Sequence, residues 1–518
     1  MMTPRALFAI TAAASFFVYV ATLAPTITWR NDGLDSGDLA TAVAVGGVPH
    51  PPGYPTYLVL GDLFKRLPFG DVAYRLNLLS AATMALAVAV LGLAVFDSLS
   101  KAAASAGEEV GEERRSRQRL IWLCPVSAAL IVAFSGPIWS QAVITEVYAL
   151  NSLFAATALY GALQVRPANQ VWLVPALFAG LGLGLGNHPS LLLVLPLLIW
   201  PMQARWRWPL RVAAALALAA GLSIYLVIPL RAAAAPPLNW GLATTWPNFR
   251  WLVAADLYRP FLFALPWPYV PARLAVELRL LAQSFLVLGL PTGLLGWLHL
   301  VRCYRRLAYG SAAAFVLISL YAITYNTTDS YVYLLPGLLI FALWLGWGLY
   351  DLGRALQNRS RPGRSRGHLA IWGLVLLPLV PLWLNFPAQD LSQDGEALAF
   401  AHQSLQQVAP GAVIIADNDP QTFALWYGRY GLAQRPDVAI VNSHLLAYPW
   451  YRQSLRQTHP RLRLSDEAGQ PLTALPAFIE HNLPVSPIYL ASLGPPALAD
   501  YRLEPGQALT RVVNPLQR

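Results

Sequence analysis

Residues 76–97 read LNLLSAATMALAVAVLGLAVFD, an apolar run whose only ionisable side chain is Asp97 at its end. A run of about 18 or more such residues is long enough to cross a bilayer as a helix. Ten further runs of this kind lead us to predict about eleven transmembrane helices. The predicted spans are 6–24, 76–97, 120–138, 145–163, 170–185, 189–203, 209–229, 279–299, 308–325, 331–351 and 368–385.

The composition excludes an ordinary soluble domain. Of the 518 residues, 56% are apolar and 12% are charged, against roughly 25% charged in typical soluble domains. The net charge of +10 comes almost wholly from arginine, and these residues do not form the basic soluble face that nucleic-acid binding needs. The two cysteines, Cys124 and Cys303, do not support a disulfide framework or a zinc cluster.

The positions of basic residues predict the orientation in the membrane. Arginine and lysine concentrate in cytoplasmic connections, whereas the short connections around 139–144, 186–188 and 326–330 carry none. We therefore predict a cytoplasmic N-terminus, an uncleaved first span and an extracytoplasmic C-terminus in the cell membrane. The basic residues of the predicted inner connections are Lys101, Arg114, Arg115, Arg117, Arg119, Arg205, Arg207, Arg302, Arg305, Arg306, Arg354, Arg359, Arg361, Arg364 and Arg366.

Two outer connections, 25–75 and 230–278, are too long for simple turns, and long ordered loops usually carry function. The composition changes again after residue 385, where apolar strand runs alternate with helical patterns, as in a βαβ arrangement. We predict a mainly α transmembrane domain at 1–385 and an extracytoplasmic α/β domain at 386–518. Its predicted strands are 412–416 and 438–441, and its predicted helices are 393–408, 423–430 and 444–457.

The densest polar cluster lies in the first long loop, which reads DGLDSGD at 32–38 and GGVPHPPGYP at 46–55. Carboxylates beside a membrane are costly to desolvate and tend to be functional, and the prolines restrict the path of the loop. The alternative interpretation is a solvated acidic turn beside a rigid proline corner.

Further polar residues fall at the same predicted outer face, and each also has a structural interpretation, such as an N-cap for Asp329. Their convergence on one membrane edge favours a site built from several outer loops. These residues are Glu146, Tyr148, Asn187, His188, Arg231, Asp329 and Tyr331.

Several strings are distinctive: DSGD at 35–38, GVPHPPGYP at 47–55, EVYALN at 146–151, GLGNH at 184–188, NWG at 239–241, DSYVYLLP at 329–336 and RPDV at 435–438. Together they resemble a widespread family of membrane proteins long labelled as a domain of unknown function, whose animal member is a protein O-mannosyltransferase of the secretory pathway. The resemblance covers nearly the whole chain. It implies similarity to the GT-C glycosyltransferases, membrane enzymes that take a sugar from a polyprenyl phosphate carrier and place an essential acidic residue in the first outer loop.

The resemblance implies an inverting transfer of the sugar to an acceptor hydroxyl at the outer face, which includes protein O-mannosylation among its forms. A carboxylate must take the proton of the attacking hydroxyl. Asp35 is our first choice and Asp38 the second, since the family often has Glu at the latter position. Fixed positive charge or hydrogen-bond donors would stabilise the leaving phosphate; the candidates for donor binding are His50, Tyr54, His188, Arg231 and Arg259. The candidates for acceptor or supporting roles are Glu146, Tyr148, Asn151, Asn187, Asn239, Trp240, Asp329 and Tyr331.

The expected partners are a polyprenyl-phosphate-linked sugar, a hydroxyl acceptor on a protein, lipid or glycan, and the bilayer. We assign no metal ligands, but the carboxylates suit Mg²⁺ or Mn²⁺ and leave a divalent metal open. For the outer domain, we expect either acceptor binding, with Asp417, Asp419 and Trp426 at strand-to-loop junctions, or a lid that stabilises the loops.

A multi-pass transporter or flippase for a lipid-linked or glycan substrate is the main alternative function, and a non-catalytic receptor is a third. Transport is less favoured because the sequence shows no internal repeat and its polar residues gather at one face. The glycines at 182, 184 and 186 lie within an apolar helix, so we predict close helix packing there and not a phosphate loop.

Overall fold

The computed structural model describes residues 3–105, 111–202, 207–358, 372–491, 498 and 501–515. Its described part is mainly helical, with one five-stranded sheet near the C-terminus. The helices of the predicted membrane part are Pro4–Ala21, Val72–Ser105, Glu112–Ala133, Tyr148–Gln164, Gln170–Leu185, Leu195–Met202, Trp208–Leu222, Val270–Ser284, Gly289–Cys303, Arg305–Thr324, Leu335–Asn358 and Leu379–Gln389.

In the described ranges, six helices are long and apolar enough to cross a membrane, or up to eight if each of two bent helix pairs counts as one span. The chain is thus a multi-pass membrane protein, but the predicted number of eleven helices is not confirmed. Runs 145–163 and 170–185 form helices of 17 and 16 residues, and run 189–203 divides into Pro189–Val194 and Leu195–Met202. These segments are apolar yet shorter than a typical span of about 20 residues.

The predicted span 279–299 contains a sharp bend and is not confirmed as one continuous helix. The chain bends by 88° between the helix that ends at Ser284 and the helix that begins at Gly289. Leu286 and Val287 have positive φ angles of 58° and 40° within this bend, a region that apolar residues rarely adopt. Hydropathy did not reveal the bend because the residues on both sides of it are equally apolar.

Part of the basis for the predicted orientation lies outside the described residues. The residues outside the description include the beginning of the predicted span 368–385 and five of the basic residues, Arg205, Arg359, Arg361, Arg364 and Arg366. The orientation of the chain in the membrane therefore stays a prediction.

Glycines allow two membrane helices to approach closely, as predicted for the glycine-rich run. A Cβ atom on Gly182 would lie 2.5 Å from the carbonyl oxygen of Leu218, and one on Gly221 would collide with the carbonyl oxygen of Ala179. The helices Gln170–Leu185 and Trp208–Leu222 are thus in backbone contact. Close packing of this kind is a main source of helix association in lipid, so the predicted packing role of Gly182 is confirmed.

The two long outer connections are largely helical and are joined to each other. The backbone N–H of Trp240 donates to the carbonyl oxygen of Val48 at 3.1 Å, and the N–H of Val48 donates to that of Leu238 at 3.0 Å. The first loop is thereby attached to the second. Their helices are Arg30–Asp35, Ser36–Val45 and Pro55–Phe64 in the first connection, and Val227–Ala233, Trp240–Leu242, Trp246–Val253, Arg259–Phe261 and Trp267–Tyr269 in or beside the second.

The C-terminal part contains a mixed sheet with the strand order β2-β1-β3-β5-β4. Its strands are β1 Val413–Ala416, β2 Ala439–Asn442, β3 Ile488–Leu490, β4 Tyr501–Pro505 and β5 Thr510–Pro515. Strand β1 is parallel to both β2 and β3, whereas β5 is antiparallel to β3 and β4. The helices are Glu396–Gln407, Asp419–Trp426, Pro449–Thr458 and Leu475–Asn482.

The outer loops and the C-terminal sheet share one hydrophobic core. Buried side chains of the first loop, such as Leu39 and Tyr57, belong to the same cluster as Ile414 of β1 and Phe423 of the following helix. A second cluster lies among the membrane helices. The sheet is therefore packed together with the two long connections, and the predicted boundary at 385/386 falls inside the helix Leu379–Gln389.

We expect Gly182→Leu to lower the melting temperature of the purified protein by several degrees. The added side chain would separate two helices that are in backbone contact, and overpacking typically costs about 1–3 kcal/mol. Gly180→Leu is the matched control, because a Cβ on Gly180 in the same helix meets no atom within 4 Å. Equal melting temperatures for the two variants in detergent would contradict this packing role.

Candidate functional site

The site is organised around Asp38, whose carboxylate is completely buried. Its Oδ2 accepts hydrogen bonds from the backbone N–H of His50 at 2.9 Å and pairs with Nδ1 of the His50 ring at 2.7 Å. Its Oδ1 accepts a hydrogen bond from the indole Nε1 of Trp240 at 3.0 Å. Both oxygens are thus occupied, which balances part of the cost of burying a charge.

His50 connects Asp38 to a second carboxylate. The opposite ring nitrogen of His50, Nε2, lies 2.8 Å from the hydroxyl of Tyr54 and 3.4 Å from Oδ2 of Asp35. The Asp35 side chain is 41% exposed, in contrast to the buried Asp38. Of the two predicted catalytic residues, Asp35 is therefore the one that a ligand can reach.

The electrostatics of this group favour a charged pair near neutral pH. Burial lowers the pKa of His50, but Asp35 and the hydrogen bond to Asp38 outweigh it and raise that pKa to about 9. Partial burial, together with the nearby carboxylates of Asp419 and Asp38, raises the pKa of Asp35 to about 6, and the adjacent His50 limits this increase. At pH 7 an imidazolium therefore lies beside a carboxylate that is close to its own titration range.

The local sequence explains how the two carboxylates reach one face. Asp35 ends the short helix Arg30–Asp35, and Asp38 lies in the first turn of the helix Ser36–Val45. Ser36 fixes this junction, since its hydroxyl donates to the carbonyl oxygen of Thr28 at 3.0 Å and accepts from the Thr28 N–H at 3.2 Å. Residues three positions apart in a helix lie on the same side, so the spacing of Asp35 and Asp38 suits a shared site.

Three tyrosine rings surround His188, and one of them, Tyr54, also contacts His50. The ring of His188 lies 6.1 Å from Tyr54, 5.5 Å from Tyr148 and 5.6 Å from Tyr333. Nδ1 of His188 accepts a hydrogen bond from the backbone N–H of Ser190 at 3.1 Å, which leaves the proton of a neutral ring on Nε2. His188 is therefore a hydrogen-bond donor among these tyrosine rings.

The C-terminal part contributes further aromatic rings. Phe423 lies parallel to the His50 ring at 6.3 Å, and Trp426 contacts Trp240 at 6.0 Å. Asp419, at the start of the same helix, is close enough to raise the pKa values of both His50 and Asp35. The site therefore lies between the first loop and the helix Asp419–Trp426.

The predicted supporting residues are buried beside this group. Glu146 is 4% exposed and accepts a hydrogen bond from the Val147 N–H at 3.3 Å. The amide groups of three asparagines donate to the protein: Asn151 to Ser190 Oγ at 3.3 Å, Asn187 to the Val147 carbonyl at 3.0 Å and Asn239 to the Ala232 carbonyl at 3.0 Å. Their carbonyl oxygens have no hydrogen-bond partner within the described ranges.

The two predicted donor-binding arginines do not contact His50 or Asp38. Arg231 is bound to Asp62, and its Nη1 donates to the Gly47 carbonyl oxygen at 3.2 Å. Arg259 is 63% exposed and pairs with Asp256 at 3.2 Å. Arg231 thus binds Asp62 and Gly47 of the first loop and stabilises it, whereas Arg259 lies at the surface of the second long connection.

The two remaining predicted residues, Asp329 and Tyr331, lie in different surroundings. Asp329 is near enough to Asp35 to contribute to its raised pKa, and it precedes the short helix Ser330–Leu334. Tyr331 instead lines a cavity of about 380 Å³ together with Trp29 and Asp32. Asp329 therefore influences Asp35 through its charge, whereas Tyr331 lines a neighbouring cavity.

No group of three or more His, Cys, Asp or Glu side chains in the described part of the chain has an arrangement suited to a metal ion. Both oxygens of Asp38 are already hydrogen-bonded within the protein. Within the described residues, none is therefore assigned as a metal ligand.

Three aromatic residues of the site were not predicted as site residues. Tyr258 lies 6.2 Å from the His50 ring, and Tyr333 and Phe423 lie against His188 and His50. Tyr333 lies inside the DSYVYLLP string, so its position was available from the resemblance. Tyr258 and Phe423 had no such signal, because both are brought to His50 by contacts between distant segments.

Comparisons with known proteins agree with this architecture. The chain matches the family model described as the protein O-mannosyl-transferase TMEM260 N-terminal domain at residues 35–212, and the TMEM260-associated domain 2 at residues 397–461. It is 26% identical over 495 residues to protein O-mannosyl-transferase TMEM260 from Mus musculus, which covers 89% of this chain and 66% of the relative. It is 20% identical over 540 residues to protein O-mannosyl-transferase tmem260 from Dictyostelium discoideum, covering 91% and 62%. The chain thus spans slightly less than two thirds of the length of these relatives.

A solved structure shows a similar fold. The crystal structure of ArnT from Cupriavidus metallidurans bound to undecaprenyl phosphate superposes with a TM-score of 0.55. The match covers 98% of this chain and 97% of the ArnT chain, at 12% sequence identity. At this identity, the comparison supports the arrangement of the chain and not the role of any residue.

We expect Gly37→Ala to loosen the contact between the first loop and the C-terminal sheet. The new methyl group would collide with the backbone carbonyl of Phe423, although alanine alone would favour the helix by about 1 kcal/mol. The measurement is limited proteolysis combined with thermal melting. The control is Gly395→Ala, since a Cβ there meets no atom within 4 Å; unchanged protease resistance in Gly37→Ala would contradict the tight contact.

Proposed function

We propose that this chain, which matches the TMEM260 N-terminal domain model at residues 35–212 and shares the fold of ArnT, transfers a sugar from a polyprenyl-phosphate carrier to an acceptor hydroxyl. The observation that carries this proposal is the array Asp38, His50 and Asp35 at the junction of the outer loops and the C-terminal sheet. The named activity of the mouse and Dictyostelium relatives, protein O-mannosyl transfer, is the form of the reaction that we propose first.

In the proposed reaction, Asp35 is the general base. A hydroxyl is a poor nucleophile near neutral pH, and a carboxylate that accepts its proton during attack lowers the barrier. The side chain of Asp35 is accessible, and its pKa of about 6 makes it a better base than an ordinary aspartate. Asp38 does not suit this role because its oxygens are buried and hydrogen-bonded.

Asp38 and His50 act as positioning residues in this proposal. Asp38 holds the His50 ring from one side and keeps it protonated, while the other ring nitrogen faces Asp35. The imidazolium lowers the pKa of Asp35 relative to an isolated buried carboxylate. It also supplies fixed positive charge near the reacting atoms, which favours a developing phosphate anion.

For the donor, we propose binding at the aromatic group formed by Tyr54, Tyr148, Tyr333 and His188. The Nε2–H of His188 suits a phosphate or sugar oxygen, and the tyrosine rings suit the apolar faces of a sugar. The undecaprenyl phosphate named for the ArnT structure supports a polyprenyl phosphate as the carrier. Arg231 and Arg259 stay candidates for phosphate binding only if their pairs with Asp62 and Asp256 open.

We further propose that the transfer occurs at the outer face of the cell membrane, with direct displacement and inversion at the sugar carbon. In this orientation the N-terminus is cytoplasmic and the C-terminal sheet is extracytoplasmic. The alternative of a transporter or flippase has less support, because Asp35, Asp38 and His50 lie in the first loop, against the helix Asp419–Trp426.

We expect Asp35→Asn to lose most of the transfer activity, by about 10²- to 10⁴-fold, because the amide cannot accept the proton. The melting temperature of this variant should remain close to that of the wild type, since Asp35 is partly exposed. Activity is measured as transfer of radiolabelled sugar from synthetic polyprenyl phosphate donors by purified protein in detergent.

Asp38→Asn should behave differently. It leaves the buried His50 ring without its charged partner, so both activity and melting temperature should fall. Asp466→Asn is the control, because this residue lies in an exposed turn, where its carboxylate accepts a hydrogen bond from the Gln470 N–H at 2.7 Å. Full transfer by Asp35→Asn would overturn the assignment of the base.

The pH dependence follows from the same groups. Transfer should increase as pH rises through about 6, where Asp35 loses its proton, and decrease above about 9, where His50 loses its proton. His50→Gln should move the acidic limb to higher pH, because the nearby positive charge that lowers the pKa of Asp35 is gone. It should also remove the alkaline limb.

The measurement is kcat/KM for transfer between pH 5 and 10, with His481→Gln as the control. His481 lies in the helix Leu475–Asn482 and contacts the Ala477 carbonyl oxygen at 2.9 Å. Its substitution should leave both limbs in place. An unchanged acidic limb in His50→Gln would show that His50 does not control the proton affinity of the base.

A further inference from the structure

A cavity of about 340 Å³ lies in the C-terminal sheet at the ends of two parallel strands. All of its lining residues come from the segment 417–475: Asp417, Ser443, His444, Ala447, Thr473 and Leu475. Asp417 directly follows β1, and Ser443 directly follows β2. The lining therefore combines a carboxylate, two hydroxyls and an imidazole with two apolar side chains.

The topology accounts for a crevice at this position. The connection from β1 runs to β2 on one side, whereas the connection from β2 passes back to β3 on the other side of β1. Because parallel crossovers are right-handed, these opposite directions place the connecting helices on opposite faces of the sheet. Open α/β sheets bind ligands in the crevice that such a reversal leaves at the carboxyl ends of the strands.

The polar groups of this cavity are available to a ligand. In the part of the chain that the structure describes, the side chains of Ser443, His444 and Thr473 make no hydrogen bond to protein, and Asp417 accepts one from the neighbouring Asn418 at 3.3 Å. The folded chain therefore does not use these groups to hold itself together. A site with unused donors and acceptors around an open volume is suited to recognition.

The cavity is connected to the reacting group by one short helix. The helix Asp419–Trp426 begins two residues after Asp417 and carries Phe423, which lies against His50. With a rise of about 1.5 Å per residue, Asp419 and Phe423 are separated by roughly 6 Å along this helix, and Asp417 precedes it by two residues. An extended chain covers the helical part of this distance with about two residues.

We propose that this cavity binds the part of the acceptor that flanks the reacting hydroxyl, and that the acceptor is an extended, neutral or basic polypeptide segment. This inference rests on the proposed function above. A hydroxyl at Asp35 and side chains two or three residues away in the cavity would be bound together. None of the lining residues belongs to a membrane helix, which favours an acceptor that arrives from water over one embedded in the bilayer.

The charge of the cavity sets its preference. Asp417 lines it, Asp419 lies at the start of the adjoining helix, and the lining contains no arginine or lysine. An acidic segment, or a phosphate-bearing glycolipid, would meet like charge there, and such repulsion is a common source of specificity. A basic or neutral segment would instead find hydrogen-bond partners.

The test uses purified protein in detergent with the polyprenyl-phosphate sugar donor and three peptides. Each peptide has one Thr, flanked on both sides by Lys, Gly or Glu residues. For the wild type, the KM should be higher for the Glu peptide than for the other two. Asp417→Asn should raise the KM for the Lys peptide about tenfold, the equivalent of one charge-assisted hydrogen bond, with little change in kcat.

A second variant tests the volume without removing a charge. Ala447→Trp should fill the cavity and raise the KM for all three peptides. Glu480→Gln is the control, since it removes an exposed acidic group from the same domain outside the lining, and its kinetic constants should match the wild type. Hydrolysis of the donor by water should be equal in all these proteins, because the base and donor residues are unchanged.

Unchanged peptide KM values in Asp417→Asn and Ala447→Trp, with a wild type that does transfer to peptides, would overturn this inference and leave the proposed function intact. Transfer only to a glycolipid in vesicles, with no peptide accepted, would overturn it in the same way. If the wild type releases sugar to no peptide, lipid or water, the proposed function itself fails and the inference falls with it.

Discussion

The arrangement of the outer layer depends on one buried carboxylate. Asp38 is inaccessible to water, and its two oxygens are held by the backbone and ring of His50 and by the indole of Trp240. A buried charge without such partners would cost several kcal/mol. These hydrogen bonds join the first long loop to the second and fix the His50 ring toward Asp35. Without them, neither the position of Asp35, the proposed base, nor the charge beside it would be defined.

The C-terminal sheet is a structural part of the same site. It shares a hydrophobic core with the first loop, and at Gly37 the two backbones approach so closely that a Cβ would not fit. Phe423 then covers the His50 ring. This arrangement explains how a helix of only eight residues contacts two environments: His50 through Phe423, and the polar cavity beyond β1 at its start.

Much of the candidate site could be predicted from the sequence because its parts lie close together in the chain. Asp35, Asp38, His50 and Tyr54 lie within twenty residues, and a helical spacing of three places both carboxylates on one side. The roles of Arg231 and Arg259 could not be predicted, because their ion pairs with Asp62 and Asp256 form only in the folded chain. Tyr258 and Phe423 were missed for the same reason.

The sequence by itself determined the membrane class, the long helix around 76–97 and the strands near 413–416 and 439–442, because hydropathy and residue periodicity are local properties. It also indicated which loop holds the carboxylates. Only the tertiary structure decided which apolar runs are long enough to span, where the chain bends near Leu286, and which carboxylate is accessible. These features depend on backbone geometry and on burial by distant segments. A one-dimensional pattern of apolar and charged residues contains neither.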